Sequence, residues 1–175
     1  MVSDSDIERQ IKRLQDNLQA IRKIAGWTAE ELGKRVGVTK QTISNIENRK
    51  VKMTQTQYIA IRSVLDYEIK MNPENVVLPQ VIAILLDSTD NENIDDEKEK
   101  QIKVAVETIA AAAAGGITGI QLATVSKAVL GPVLALFGGP IGIGIAITGS
   151  ALSWLAPFIK NKKITYATKL ERDHK

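Results

Sequence analysis

From Ala128 to Ile159 the chain runs for 32 residues without one acidic or basic side chain. That exceeds the roughly 20 apolar residues a helix needs to cross a bilayer. Its composition pulls the other way, because Ala and Gly add little on insertion scales, and Pro132, Gly138, Gly139, Pro140 and Pro157 divide the run. Ile141 to Ile159 is the best candidate span. Upstream, Val104 to Val125 holds a single charge, Glu107, which would be costly inside a membrane. Small residues recur every four positions: Ala111, Gly115, Gly119 and Ala123, then Gly138, Gly142, Ala146 and Ser150. On a helix this spacing makes a smooth stripe that lets backbones approach closely. A two-helix hairpin turning near Lys127 is the simplest expectation. Membrane insertion is one outcome, with Trp154 at the interface and the basic tail of Lys160, Lys162, Lys163, Lys169 and Arg172 on the inner side. The other is a water-soluble hairpin whose apolar surface is buried between subunits.

Aromatic residues make up 4% of the chain against 44% hydrophobic residues. Aromatics supply the large buried areas of a mixed core, so their scarcity beside Ala, Ile, Leu and Gly predicts an all-α protein packed through small aliphatic side chains. With no Cys, disulfides, thiolate metal sites and cysteine nucleophiles are excluded. The one His is His174, next to the last residue, which leaves a positioned imidazole without a scaffold.

The net charge of +3 conceals a segregation. Residues 1–72 carry 13 basic against 9 acidic side chains, residues 73–101 carry 2 against 8, and residues 160–175 carry 6 against 2. The pattern suggests a basic head, an acidic connector, an apolar body and a basic tail. The expected divisions are 1–87 for the head, 88–101 for an acidic linker or helix start, 102–160 for the apolar helical segment and 161–175 for the tail. The opening MVSDSDIERQ has neither a basic region nor an apolar stretch, so no secretory signal is expected. The expected location is the cytoplasm, with anchoring at the inner face of the membrane if the apolar body inserts.

The head reads as five short helices. Ser5 with Glu8 forms a capping box ahead of Ile7, Ile11, Leu14, Leu18, Ile21 and Ile24 or Ala25, spaced by three and four. Thr28 with Glu31 opens a second helix that stops at Gly37, and Thr39 caps a third, with Ile43 and Ile46 inward. Thr54 with Gln57 caps a fourth carrying Ile59, Ile61, Val64 and Leu65. Asn72 before Pro73 signals a fifth, running through Val77, Val81, Ile84 and Leu85.

The second and third helices, joined by a Gly-containing turn, make a helix-turn-helix arrangement. The third leaves Lys40, Gln41, Thr42, Ser44 and Asn45 outward, side chains that can read base edges in a major groove. The stretch NLQAIRKIAGWTAEELGKRVGVTKQTISNIENRK, Asn17 to Lys50, resembles the DNA-binding domain of the lambda repressor and Cro type, the xenobiotic-response-element family. The likeness covers about residues 13–70 and rests on Arg22, Gly26, Thr28, Glu31, Leu32, Gly37, Val38, Thr39, Gln41, Ile43, Ile46, Glu47 and Asn48, in order and without gaps.

The resemblance implies a five-helix DNA-binding fold, followed here by an Ala- and Gly-rich helical hairpin. It places Lys40, Gln41, Thr42 and Ser44 at base-facing positions, with the cap Thr39 counted in the same DNA-binding set, and Asn45 near base or phosphate. Asn48, Arg49, Lys50 and Lys52 fall where the next loop meets the phosphate backbone, and Arg22 with Glu47 forms an interhelical ion pair that serves as scaffold. Two positions depart from the family pattern. Ala29 stands where a phosphate-contacting Gln is usual, and Arg49 stands where Gly commonly follows the recognition helix.

Other chemistries fail on the residues. Ala114-Gly115 with Ser126 and Lys127 resembles the cleavage site of self-cleaving repressors, but too little chain follows for their strand-rich catalytic domain. Gly138, Gly139, Gly142 and Gly144 lack the Lys-Ser or Lys-Thr of a phosphate loop, and the acidic run fits no calcium loop. No catalytic residue, cofactor or metal is expected. The expected function is sequence-specific transcriptional regulation, as a repressor acting by occupancy of a near-palindromic operator in double-stranded DNA. A homodimer or higher oligomer would be gathered or anchored by the apolar half. The alternative is a membrane-active or protein-binding effector of the toxin or immunity type, whose head autoregulates its own gene.

Overall fold

The structure, a computed structural model, describes residues 4–87, 96–135, 153–155 and 158. The described residues are all helical or in turns, without a strand. Seven α-helices are present among them: α1 Asp4–Ile24, α2 Ala29–Val36, α3 Lys40–Glu47, α4 Gln55–Met71, α5 Val77–Ile82, α6 Asp96–Ala114 and α7 Gly119–Ala135. A π-helical turn, Ala83–Asp87, extends α5, and a 3-10 turn covers Ser153–Leu155.

Helix α1 is the hub, touching α3, α4, α5, the π turn and α6. Its stripe of Ile7, Leu14, Leu18, Ile21 and Ile24 is buried at the predicted spacing, and Ile11 is half-buried. Helix α1 already includes Asp4, so Ser5 lies within it rather than at its cap. Thr28 and Thr54 form the predicted capping boxes of α2 and α4, each accepting a bond from the N3 amide while Glu31 or Gln57 returns one to the cap. The fifth helix begins later than Asn72 before Pro73 suggested: Asn72 ends α4, and Asn75 Oδ1 accepts from the Leu78 amide. From Val81 to Leu86 every residue is buried, more than a one-sided helix can supply.

The C-terminal half is continuous with this core. Asp96 to Gln101 form the first turns of α6, where Asp96, Glu97 and Glu99 favour the positive end of the helix dipole. Ile102, Ala105, Val106, Ile109 and Ala110 then lie buried along one face of α6, which packs on α1 and α7. Leu122, Ser126, Leu130 and Val133 form the buried face of α7, and Ser126 donates to Gln80 Oε1 at 3.3 Å.

Three expectations for this half need correction. The hairpin turns at Gly115–Thr118 instead of near Lys127, which is exposed within α7. Gly116 adopts φ 88, and the Gly115, Gly116 and Ile117 amides return to carbonyls of Ala111, Ala113 and Ala112, a left-handed helix end. That turn also divides the first small-residue stripe: Ala111 is exposed on α6, Gly115 is in the turn, Gly119 opens α7 and Ala123 is half-buried. Pro132 does not break α7, which continues to Ala135 with Gly131 and Pro132 on its exposed side.

The second stripe, Gly138, Gly142, Ala146 and Ser150, lies outside the described residues, as does the candidate span Ile141 to Ile159 apart from Ser153, Trp154, Leu155 and Phe158. Among the described residues no helix is long and apolar enough to cross a membrane. Trp154 and Phe158 pack on the head, forming an aromatic group with Tyr58 of α4. Burial pushes the Tyr58 hydroxyl up to about 12, and its O–H donates to Gln10 of α1. Burial likewise holds the Asp66 carboxyl above its ordinary range, against the opposing pull of Arg62 and of the Trp154 N–H.

Candidate nucleic-acid interface

The α2–α3 turn is built by local chemistry. Gly37 takes φ 83, a conformation that costs a side-chain-bearing residue, and the amides of Gly37 and Val38 both return to the Gly33 carbonyl. Thr39 then accepts from the Thr42 amide and starts α3. Gly33 permits the tight angle between the helices, because a Cβ there would stand 2.7 Å from the Val38 carbonyl oxygen. Mid-helix Gly→Ala ordinarily gains about 0.5–1 kcal/mol. Here Gly33→Ala is expected to cost about 1–3 kcal/mol through overpacking, read as a lowered midpoint in urea denaturation.

Helix α3 buries Ile43 and Ile46 completely and turns its other face outward. Lys40 and Gln41 are exposed, while Thr42, Ser44 and Asn45 are half-exposed. Gln41 Nε2 donates to Asn45 Oδ1 at 2.8 Å, which orients both amides before any partner arrives. Thr39 and Thr42 share a hydroxyl bond of 2.9 Å, and Asn48 Nδ2 donates to the Ser44 carbonyl at 2.7 Å. The following loop carries Asn48, Arg49, Lys50 and Lys52, all exposed. The base-facing and backbone-facing sets inferred from the sequence thus occupy one continuous surface of α3 and its loop.

Two anchors hold that surface. Arg22 of α1 grips Glu47 in a two-pronged pair, Nε to Oε1 at 2.6 Å and Nη2 to Oε2 at 3.0 Å, and donates through Nη1 to the Trp27 carbonyl at 2.8 Å. The side chains are 11% and 4% exposed, so the pair is inside the fold. The second anchor, Gln15, has no signal in the sequence pattern. Its Nε2 donates to the carbonyls of Ile46 and Val51, and its Oε1 accepts from the Met53 amide. One side chain therefore ties the end of α3 to the loop beyond it.

The two departures from the family pattern have distinct outcomes. Ala29 opens α2 with a methyl group, so no side-chain donor stands there. Arg49 adopts φ 56, the left-handed conformation that Gly would take freely, and its Nε is 2.8 Å from Asp16 Oδ1 of α1. A DNA phosphate would have to compete with Asp16 for this guanidinium. No group of three or more His, Cys, Asp or Glu side chains is placed to hold a metal among the described residues.

Residues 18–70 match the family model described as Helix-turn-helix. The chain is also 28% identical over 83 residues to Antitoxin HipB of Escherichia coli (strain K12), an alignment covering 47% of this chain and 86% of that protein. No solved structure matches. Residues 18–70 are a DNA-binding helix-turn-helix domain of the lambda repressor and Cro type, and the chain bears the head of a DNA-binding transcriptional regulator.

Proposed function

We propose that this chain is a sequence-specific repressor that works by occupying an operator, with α3 in the major groove and the loop from Asn48 to Lys52 along the phosphates. The observation that carries this reading is the outward row Lys40, Gln41, Thr42, Ser44 and Asn45 on a helix fixed from behind by Arg22–Glu47 and Gln15. Residues 1–72 carry an excess of only four positive charges, so one copy makes few phosphate contacts and binds weakly. Two copies reading half-sites one helical turn apart supply the missing affinity. The boundary after residue 87 is then one of role: the head binds DNA, and the α6–α7 hairpin braces it and gathers the heads.

The test is selection of a binding site from random duplex DNA, followed by titration of variants on that site. Gln41→Ala and Asn45→Ala are each expected to cost about 1–3 kcal/mol, with the loss largest on the selected sequence. Lys50→Ala is expected to weaken all sequences alike and to flatten the salt dependence by about one unit of slope. Equal loss on selected and random DNA for the Gln41 and Asn45 variants would refute base reading by α3.

A second reading draws on the likeness to an antitoxin: the head controls its own gene while the chain neutralises a protein partner. Its observable consequence is a stable complex with the product of a neighbouring gene, formed without DNA.

A further inference from the structure

The loop after α3 is tied down by its backbone. The amides of Arg49 and Lys50 return to the carbonyls of Ile46 and Asn45 at 3.1 and 2.9 Å, and Gln15 of α1 bonds to Ile46, Val51 and Met53. Within this loop Arg49 stands at φ 56, and every other positive φ among the described residues belongs to Gly. A side-chain-bearing residue is disfavoured in that conformation, so Arg here lowers stability relative to Gly. Its pairing with Asp16 does not restore the loss: Nε meets Oδ1 at 2.8 Å, but the side chains are 59% and 32% exposed, and exposed pairs contribute little. Local strain of this kind collects where a side chain serves something other than folding. The neighbours Asn48, Lys50 and Lys52, all exposed, indicate what that is. A guanidinium among them suits a phosphate, which it can meet with two parallel N–H bonds.

We propose, on the reading that the Asn48–Lys52 loop follows the phosphates, that Asp16 is a built-in competitor for the phosphate site of Arg49 and so sets the affinity of this surface for any duplex DNA. Among the described residues Asp16 is the one carboxylate paired with the loop. It acts twice on an approaching phosphate, by occupying the Arg49 Nε and by placing a like charge beside it. Two Arg–acid pairs thus join α1 to α3 and its loop, and they differ in kind. Arg22–Glu47 is two-pronged and buried, as a scaffold requires, whereas Arg49–Asp16 is exposed and dispensable to the core. Phosphates repeat on every sequence, so Asp16 lowers affinity uniformly and leaves base reading by α3 untouched. A head weakened in this way does not hold random DNA alone, and occupancy depends on a second copy engaging its own half-site.

The experiment is a fluorescence-anisotropy titration of a labelled random-sequence duplex, over a series of salt concentrations, with the full-length chain, Asp16→Asn, Arg49→Ala and the double variant. Asp16→Asn is expected to bind at least fivefold more tightly at low salt and to steepen the salt dependence by about one unit of slope, the mark of one added phosphate contact. In the Arg49→Ala background the same substitution should gain less than twofold, because the carboxylate then has no guanidinium to withhold. Circular dichroism melts establish that each chain is folded; if Asp16→Asn does not fold, Asp16→Ser takes its place. Unchanged or weaker binding by the folded Asp16 variant would make Asp16 a bystander or a support for Arg49, and overturns the proposal. So does an equal gain with and without Arg49, which would mean that Asp16 acts by its charge alone, and so does a lack of duplex binding by the Asp16 variant at low salt. Sequence preference is not read in this test. A chain that does not prefer selected over random DNA would refute the repressor reading and leave the Asp16 comparison intact.

Discussion

Glu47→Ala is expected to lower folding stability by about 3–5 kcal/mol, the loss that follows when one member of a buried ion pair is removed. The Glu47 side chain is 4% exposed, and among the described residues it is the one carboxylate paired with the Arg22 guanidinium, which also donates to the Trp27 carbonyl. The variant leaves a desolvated cation where α1 meets α3, and single domains have only about 5–15 kcal/mol to lose. Arg22→Met combined with Glu47→Leu is expected to regain most of the loss, because the cost lies in the stranded charge rather than in the absence of attraction. Urea denaturation of the two single variants and the double variant measures this. If the double variant loses as much as the sum of the singles, the two side chains act independently, and the stranded-charge account fails.

A chain ending at residue 87, the boundary expected for the five-helix head, is expected to lose most of its stability. Helices α6 and α7 pack on α1 and α5, and the buried run from Val81 to Leu86 lies within the same core as Ile102, Val106, Ile109, Leu122 and Leu130. A large apolar side chain returned to water costs about 1.5–3 kcal/mol, so uncovering four of them costs about 6–12 kcal/mol. The shortened chain should melt far below the full-length one, or without a cooperative transition, and should bind a hydrophobic dye. A cooperative melt within a few degrees of the full chain would mean that the head's core closes without α6.

The elements legible in the sequence are those whose causes lie within a few residues. The Thr28–Glu31 and Thr54–Gln57 boxes, the Gly37 stop and the inward Ile43 and Ile46 are each fixed by neighbours in the chain, and the structure has all of them. So are the outward positions of Lys40 and Gln41, because helix periodicity assigns a face directly. Periodicity does not say what that face meets. Ile102, Val106 and Ile109 make the buried face of α6, yet the partner α1 lies some 90 positions earlier, and no local rule names it. Gln15 was invisible for the same reason: its bonds reach residues 31 to 38 positions away. The hairpin turn was misjudged because a lone Lys in an apolar run marks a turn only if the helix has no wet side. Lys127 has one, since α7 keeps Thr124, Lys127, Ala128 and Gly131 exposed.

The hub role of α1 also sets a clock on synthesis. Ribosomes add about 5–20 residues per second, so Ile109 follows Leu14 by roughly 5–20 s. For that interval the nascent α1 exists without α6, and the greasy Val81–Leu86 segment emerges before the hairpin that shelters it. The chain must therefore pass its most vulnerable seconds on the ribosome, with α3 already made and its brace not yet translated.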